Sequence, residues 1–180
     1  MSQLESALSA AIASNGQSVL AMSQQSPVLV VFLRHFGCTF CREALADLAA
    51  KRAEIELPSA PKAPSIRLLL VHMVDQAQGQ AVLAKYGLGD VAHVSDPGKA
   101  LYRALGLARG SLWQLFGIKS FVRGLYAGVL GGHWVGKLAG DGFQMPGVFL
   151  IHNGQVLRGF VHKTAADRPD DPALSACPIA

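Results

Sequence analysis

The chain has 180 residues, of which 51% are apolar and 16% charged, with a net charge of +4. That length suits one domain burying roughly two thirds of its unfolded surface, and the apolar content excludes a disordered chain. The positive charge is mild and forms no basic stripe interleaved with aromatics, which argues against nucleic-acid binding.

The opening MSQLESALSAAIASNGQS has neither a basic n-region nor a long apolar h-region, so no secretory signal is expected. Leu4, Ala7, Leu8, Ala11 and Ile12 fall on one helical stripe, broken near Asn15-Gly16. A second short helix follows to Met22, and this extension (1–26) is expected to pack against a sheet. Val28 to Leu33 is an unbroken apolar run rich in β-branched and aromatic residues, the pattern of a buried strand. Gly37 supplies a turn. A helix is predicted over 39–57, with Cys41, Ala44, Leu45, Leu48 and Ala49 on one face. Three prolines in PSAPKAP (58–64) mark a loop.

Ile66 to Val74 reads as a second, parallel strand buried on both faces. His72 lies within it and reads as a core residue rather than a ligand. A helix is predicted over 76–86, with Val82, Leu83 and Tyr86 inward and Gly87 and Gly89 at its end. Val91 to Ser95 is a short third strand. Asp96-Pro97 predicts a helix with Asp96 as its cap and Pro97 at its first position, and with Leu101, Ala104 and Leu105 inward.

Residues 108–140 are glycine-rich and aromatic, with spaced Arg and Lys. Only 13 residues, His133 among them, separate Arg123 from Lys137, whereas a membrane span needs about 20 apolar residues. No span is expected. The segment reads as an inserted helix and loop covering one end of the sheet. A homodimer contact, an active-site lid and surface contact with a membrane are the other readings. Gly147 to Ile151 is a further strand, Asn153-Gly154 a hairpin turn, and Val156 to Val161 its antiparallel return. The tail, 164–180, is polar and proline-rich and carries Cys177.

The chemistry concentrates on Cys38 and Cys41. They open a helix at the carboxyl end of a strand, where ligands collect in open α/β sheets. Unpaired N–H groups and the helix dipole favour a thiolate there, and the thiolate is the nucleophile. Three-residue spacing lets the second sulfur reach the first. Arg34 and Arg42 add positive charge nearby. Inert buried thiols are the bland alternative. A zinc site needs four ligands; the only other cysteine is Cys177 and the six histidines show no paired spacing, so no metal is expected. Three cysteines with one CxxC suggest a reducing compartment, hence a cytoplasmic location.

A strand, a CxxC helix, a second strand and an X-Pro before a hairpin together resemble the thioredoxin fold. In that fold the proline is cis and packs against the disulfide; Met145-Pro146 is the matching position. FLRHFGCTFCRE, HVSDPGKALYRALGL and QMPGVFLIHNGQVLRGFVHKTAADRPD are similar to the peroxiredoxin-like members of the alkyl hydroperoxide reductase / thiol-specific antioxidant family, among them relatives of selenoprotein L. The resemblance spans roughly 20–170. It implies an α/β, thioredoxin-like fold in a single domain over 1–180, with a central mixed sheet flanked by helices and an insertion near 108–140. It also implies a thiol oxidoreductase without a cofactor, acting on a peroxide or a disulfide and restored by an external dithiol such as a thioredoxin- or glutathione-type donor. Cys38 and Cys41 would be catalytic, supported by Arg34, Thr39, Arg42 and Pro146.

Typical peroxiredoxins carry Pro-x-x-x-Thr-x-x-Cys. If Cys41 takes the peroxidatic position, Cys38 stands where Thr is usual and Arg34 where Pro is usual. Those proteins also place an Arg before a late strand, whereas 141–147 reads DGFQMPG. Helix position favours Cys38 as the attacking sulfur; the family alignment favours Cys41. A thioredoxin-like protein-disulfide reductase and a non-catalytic interaction module remain the alternative functions.

Overall fold

The strand β1 (Val28–Phe32) is buried at every position and pairs on both edges. The computed structural model describes residues 2–36, 39–57, 64–110 and 141–162, with the side chains of residues 39 and 40 left aside. Cys38, most of the 58–64 loop, most of the 108–140 insertion and the tail with Cys177 lie outside the described residues.

The chain begins with α1 (Gln3–Ala10) and α2 (Val19–Gln25), each capped by a serine: Ser2 Oγ accepts from the Glu5 N–H and Ser18 Oγ from the Ala21 N–H. After β1 come α3 (Thr39–Glu56), β2 (Arg67–His72), α4 (Gln76–Lys85), β3 (Ala92–Ser95), α5 (Ala100–Ala104), β4 (Gly147–His152) and β5 (Gln155–Val161). The sheet order is β3-β2-β1-β4-β5. β1, β2 and β3 run parallel, while β4 runs antiparallel to β1 and pairs with β5 through a two-residue turn. Asn153 and Gly154 both hold positive φ, 49° and 73°, the geometry that lets so short a turn match the strand twist.

Alternation along β1 divides the core. Leu29 and Val31 join Leu45, Leu48 and Ile55 of α3 and Leu83 of α4 on one face. Val28, Val30 and Phe32 join Leu8, Val19, Met22, Leu101 and Tyr102 on the other. Each such side chain contributes about 1.5–3 kcal/mol by leaving water, so both layers hold β1 in place.

Four expectations require correction. Ile12 leaves the helical stripe and is 54% exposed, because α1 ends at Ala10 and residue 12 forms a bridge with Ser18 instead. Pro97 does not open a helix. Residues 97–99 turn first, with Lys99 in the left-handed region (φ 57°), and α5 starts at Ala100. Asp96 nevertheless receives the free N–H groups of Ala100 and Leu101, each at 2.9 Å, so its carboxylate caps α5 from across that turn. Inside α5 the most buried side chain is Tyr102, with Ala104 and Leu105 only partly covered. Finally, no described peptide bond is cis, so Met145–Pro146 is trans. Main-chain bonds hold this approach to β4 extended, from Met145 N to the Ala108 carbonyl and from His162 N to the Pro146 carbonyl. Such a path is compatible with the isomer that X-Pro bonds favour by about 0.5–1 kcal/mol.

Candidate active site

The chain leaves β1 through Leu33, Arg34, His35 and Phe36, all buried. α3 then starts at Thr39, and Cys41 is its third residue, 6% exposed. Arg42 reaches back from the first turn of α3, its Nε donating to the Phe36 carbonyl at 3.3 Å. A guanidinium N–H on a carbonyl is a charge-assisted bond, stronger than a neutral one, and it ties the helix start to the end of the strand segment.

Two further segments close on this point. Tyr102 of α5 donates its hydroxyl to the Leu33 carbonyl at 2.6 Å, and the Val71 carbonyl lies 3.2 Å away. Its pKa is pushed well above the ordinary phenol value, by burial first, then by the charge of Asp96, then by Cys41. The phenol therefore stays protonated close to the Cys41 sulfur. The second segment runs from Asp141 to Pro146. Asp141 binds Lys99 at 2.8 Å and Arg109 at 3.4 Å. Burial pushes its carboxyl up, but Lys99 and the Phe143 N–H outweigh that and hold it below the usual range. Gln144, 3% exposed, donates its amide to the Leu107 carbonyl at 2.8 Å. Together with the bonds from Gly110 N to Phe143 O and from Met145 N to Ala108 O, these contacts clasp the two ends from which the 111–140 segment departs.

His35 follows Arg34 at the strand exit and feels the charge of both Arg34 and Asp141. Its pKa is lowered to about 4, chiefly by burial and then by the Arg34 guanidinium, with Asp141 pulling the other way. It is neutral at pH 7, and its buried Nδ1 has no hydrogen-bond partner among the described residues.

Of the residues singled out in the sequence, Arg34 lies at the buried exit of β1, and Cys41 and Arg42 lie in the first turn of α3. Thr39 opens α3, and Pro146 enters β4 with a trans bond. Cys38 lies outside the described residues. Sequence reasoning missed His35, Tyr102, Asp141 and Gln144. All four lay inside quoted stretches, but their roles depend on partners distant in sequence. Among the described residues no helix is long and apolar enough to cross a membrane.

Comparison with known proteins bears on the same region. The model of the AhpC/TSA antioxidant enzyme family matches residues 62–164, a stretch that starts after the CxxC helix. Peroxiredoxin-like 2A of Xenopus tropicalis is 26% identical over 132 residues, 73% of this chain and 53% of that protein; the chain thus spans about half the length of this curated relative. Peroxiredoxin Q of Xanthomonas campestris, 20% identical, covers 92% of this chain and 87% of its own with a TM-score of 0.57. Peroxiredoxin 6 of Arenicola marina, 12% identical, covers 92% of this chain and 66% of its own, again at 0.57. At such identities the structural likeness is one of fold, and that fold is the thioredoxin-like α/β arrangement of peroxiredoxins.

Proposed function

The chain belongs to the AhpC/TSA antioxidant enzyme family, and from that premise we propose that it reduces peroxides with a Cys38–Cys41 dithiol. One thiolate attacks the peroxide: an S–O bond forms, the O–O bond breaks, and the departing oxygen takes a proton to leave as alcohol or water. The second sulfur displaces water from the sulfenic acid and closes the disulfide. An external dithiol of the thioredoxin or glutathione type returns two electrons and two protons. The observation that carries the reading is the position of Cys41, buried at the start of α3 where β1 ends, with the Arg42 guanidinium on the adjoining Phe36 carbonyl. Arg34 and Arg42 would favour the thiolate and the developing negative oxygen. Thr39 opens the same helix turn, and Pro146 would border the site from the β4 side. A reducing compartment, the cytoplasm, fits a working dithiol.

A second reading rests on one observation, the lack of an arginine in DGFQMPG (141–147). Without a donor from that side the same dithiol would act on protein disulfides instead. Peroxide consumption coupled to a thioredoxin system separates the two. Turnover with peroxide, and a Cys38–Cys41 bridge mapped by mass spectrometry, is the expected outcome. Insulin disulfide reduction with no peroxide turnover would replace the first reading by the second. Cys177→Ser should leave turnover nearly unchanged; a mapped bridge to Cys177 would give that residue the resolving role.

A further inference from the structure

His72 and His93 lie side by side in the sheet, almost wholly buried, with their rings 5.0 Å apart. His72 Nδ1 is 3.1 Å from the Val74 carbonyl, His72 Nε2 is 2.8 Å from His93 Nδ1, and His93 Nε2 is 2.9 Å from Gln80 Oε1. This chain of three contacts begins and ends on an acceptor. The Val74 carbonyl can only accept, and it already takes the Ser95 hydroxyl at 2.6 Å. The Gln80 amide is oriented by its own nitrogen, which donates to the Gly89 carbonyl at 2.7 Å. Reversing it would set oxygen against oxygen.

Two neutral imidazoles carry two N–H groups between them. Three hydrogen bonds need three. We infer that His72 and His93 form a one-proton switch: the pair takes up a single shared proton, and that proton fastens Gln80 of α4 to β3. In the neutral pair His72 Nδ1–H serves Val74 and His93 Nδ1–H serves His72. His93 Nε2 then presents a lone pair to Gln80 Oε1, and Gln80, which is exposed, turns to water. With the extra proton every contact in the chain is made.

The surroundings set where the switch operates. α4 closes over His72 at Gly79, where a Cβ would fall on the imidazole ring. Phe36 packs on His72 at 5.5 Å between centroids, and Ser14 Oγ accepts the His93 main-chain N–H. Gln80 and Ser95 are further polar neighbours. All of these are uncharged. Among the described residues Asp75, at the cap of α4, is the charged group whose field acts on His72, and it favours the proton. Burial opposes it more strongly, holding His72 down to about 4 and lowering His93 too. Uptake therefore belongs to acidic conditions. Phe36, which rests on this pair, immediately precedes Gly37-Cys38 in the chain and supplies the carbonyl that Arg42 holds. The switch would thus pack against the residue that leads into the cysteine motif, although it stands whether or not that motif is a peroxidase centre.

Long-range 1H–15N NMR of the full chain between pH 8 and pH 4 tests it. We expect both rings neutral at pH 8, and on acidification a common midpoint with one proton gained for the two rings. Gln80→Glu, which places a carboxylate at the end of the chain, should raise that midpoint by about one unit or more. Gln80→Leu removes the terminal acceptor and should lower it. Two separate midpoints, unfolding before any uptake, or a midpoint indifferent to both substitutions would overturn the inference. Should Gln80→Glu fail to fold, the proton count of the unsubstituted protein decides alone.

Discussion

The Tyr102 hydroxyl and the Leu33 carbonyl, 2.6 Å apart, join α5 to the last turn of chain before the cysteine motif. The bond is fully buried and spans 69 residues, so the strand exit is positioned from the far side of the fold rather than by its own neighbours. Tyr102→Phe keeps the ring, and with it the edge contact to Phe32 at 4.8 Å, but leaves a buried carbonyl short of a donor. The expected loss is about 1–2 kcal/mol, or roughly 2–8 °C in Tm for a chain of this size. Chemical denaturation measures it. An unchanged midpoint would mean that water replaces the hydroxyl without cost.

Gly79→Ala offers a test whose sign is informative. In an ordinary helix interior this change stabilises by about 0.5–1 kcal/mol. Here the added Cβ would meet the His72 ring, and overpacking a close-fitting core typically costs about 1–3 kcal/mol. We expect net destabilisation by urea titration, together with loss of the His72–His93 hydrogen bond. A more stable protein would show that α4 moves away freely.

Acid should weaken the fold in a defined window. His35 and His72 are each held near 4, against 6.5 in an unfolded chain. Both are neutral in the folded protein, so unfolding binds protons below pH 6.5. Stability is full above that value and is lost as pH falls towards 4, at most on the order of 3 kcal/mol for each histidine. The carboxylates Asp90 and Asp141 act lower, since their folded values lie below 3.8. Urea midpoints recorded between pH 8 and pH 4 should be flat and then fall, and His35→Leu should make the fall shallower. A profile that stays flat down to pH 4 would contradict the burial of both rings as neutral groups.

The two sulfurs should differ in reactivity. Cys41 is buried, and burial raises a thiol pKa, whereas dipole stabilisation at a helix start is worth about 0.3–1 kcal/mol and fades within the first turn. We expect Cys38 to be the attacking thiolate. Alkylation rate against pH should then lose its fast, low-pH component in Cys38→Ser and keep it in Cys41→Ser. A Cys38→Ser protein that still reacts rapidly and forms a sulfenic acid with peroxide assigns the attack to Cys41.

What could be read from sequence followed from local periodicity. The continuous apolar runs of β1 and β2, and the Asn153-Gly154 turn, carry their structure in adjacent residues. The failures share a different cause. Tyr102 lies off the Leu101–Leu105 stripe and faces inward because its hydroxyl meets carbonyls on two strands. His72 was legible as a core residue, but its partner His93 lies one strand away, and no spacing rule connects them. Asp96 was recognised as a cap, yet the intervening turn at Lys99 depends on a left-handed residue that lysine does not advertise. Pro146 was placed correctly before β4, while its isomer, trans rather than cis, carries no local signal in Met145-Pro146.

Val28 pairs with Arg67 on one side and with Ile151 on the other. A ribosome releases these partners at very different times. After β2 has emerged, β1 still offers a bare edge of unpaired N–H and C=O groups, flanked by apolar side chains, until β4 has been made. Exposed edges of this kind invite pairing with other chains. The strand that leads towards Cys38 and Cys41 thus waits on β4 for its second partner, and a nascent chain stalled before β4 would present that adhesive edge just ahead of these two cysteines.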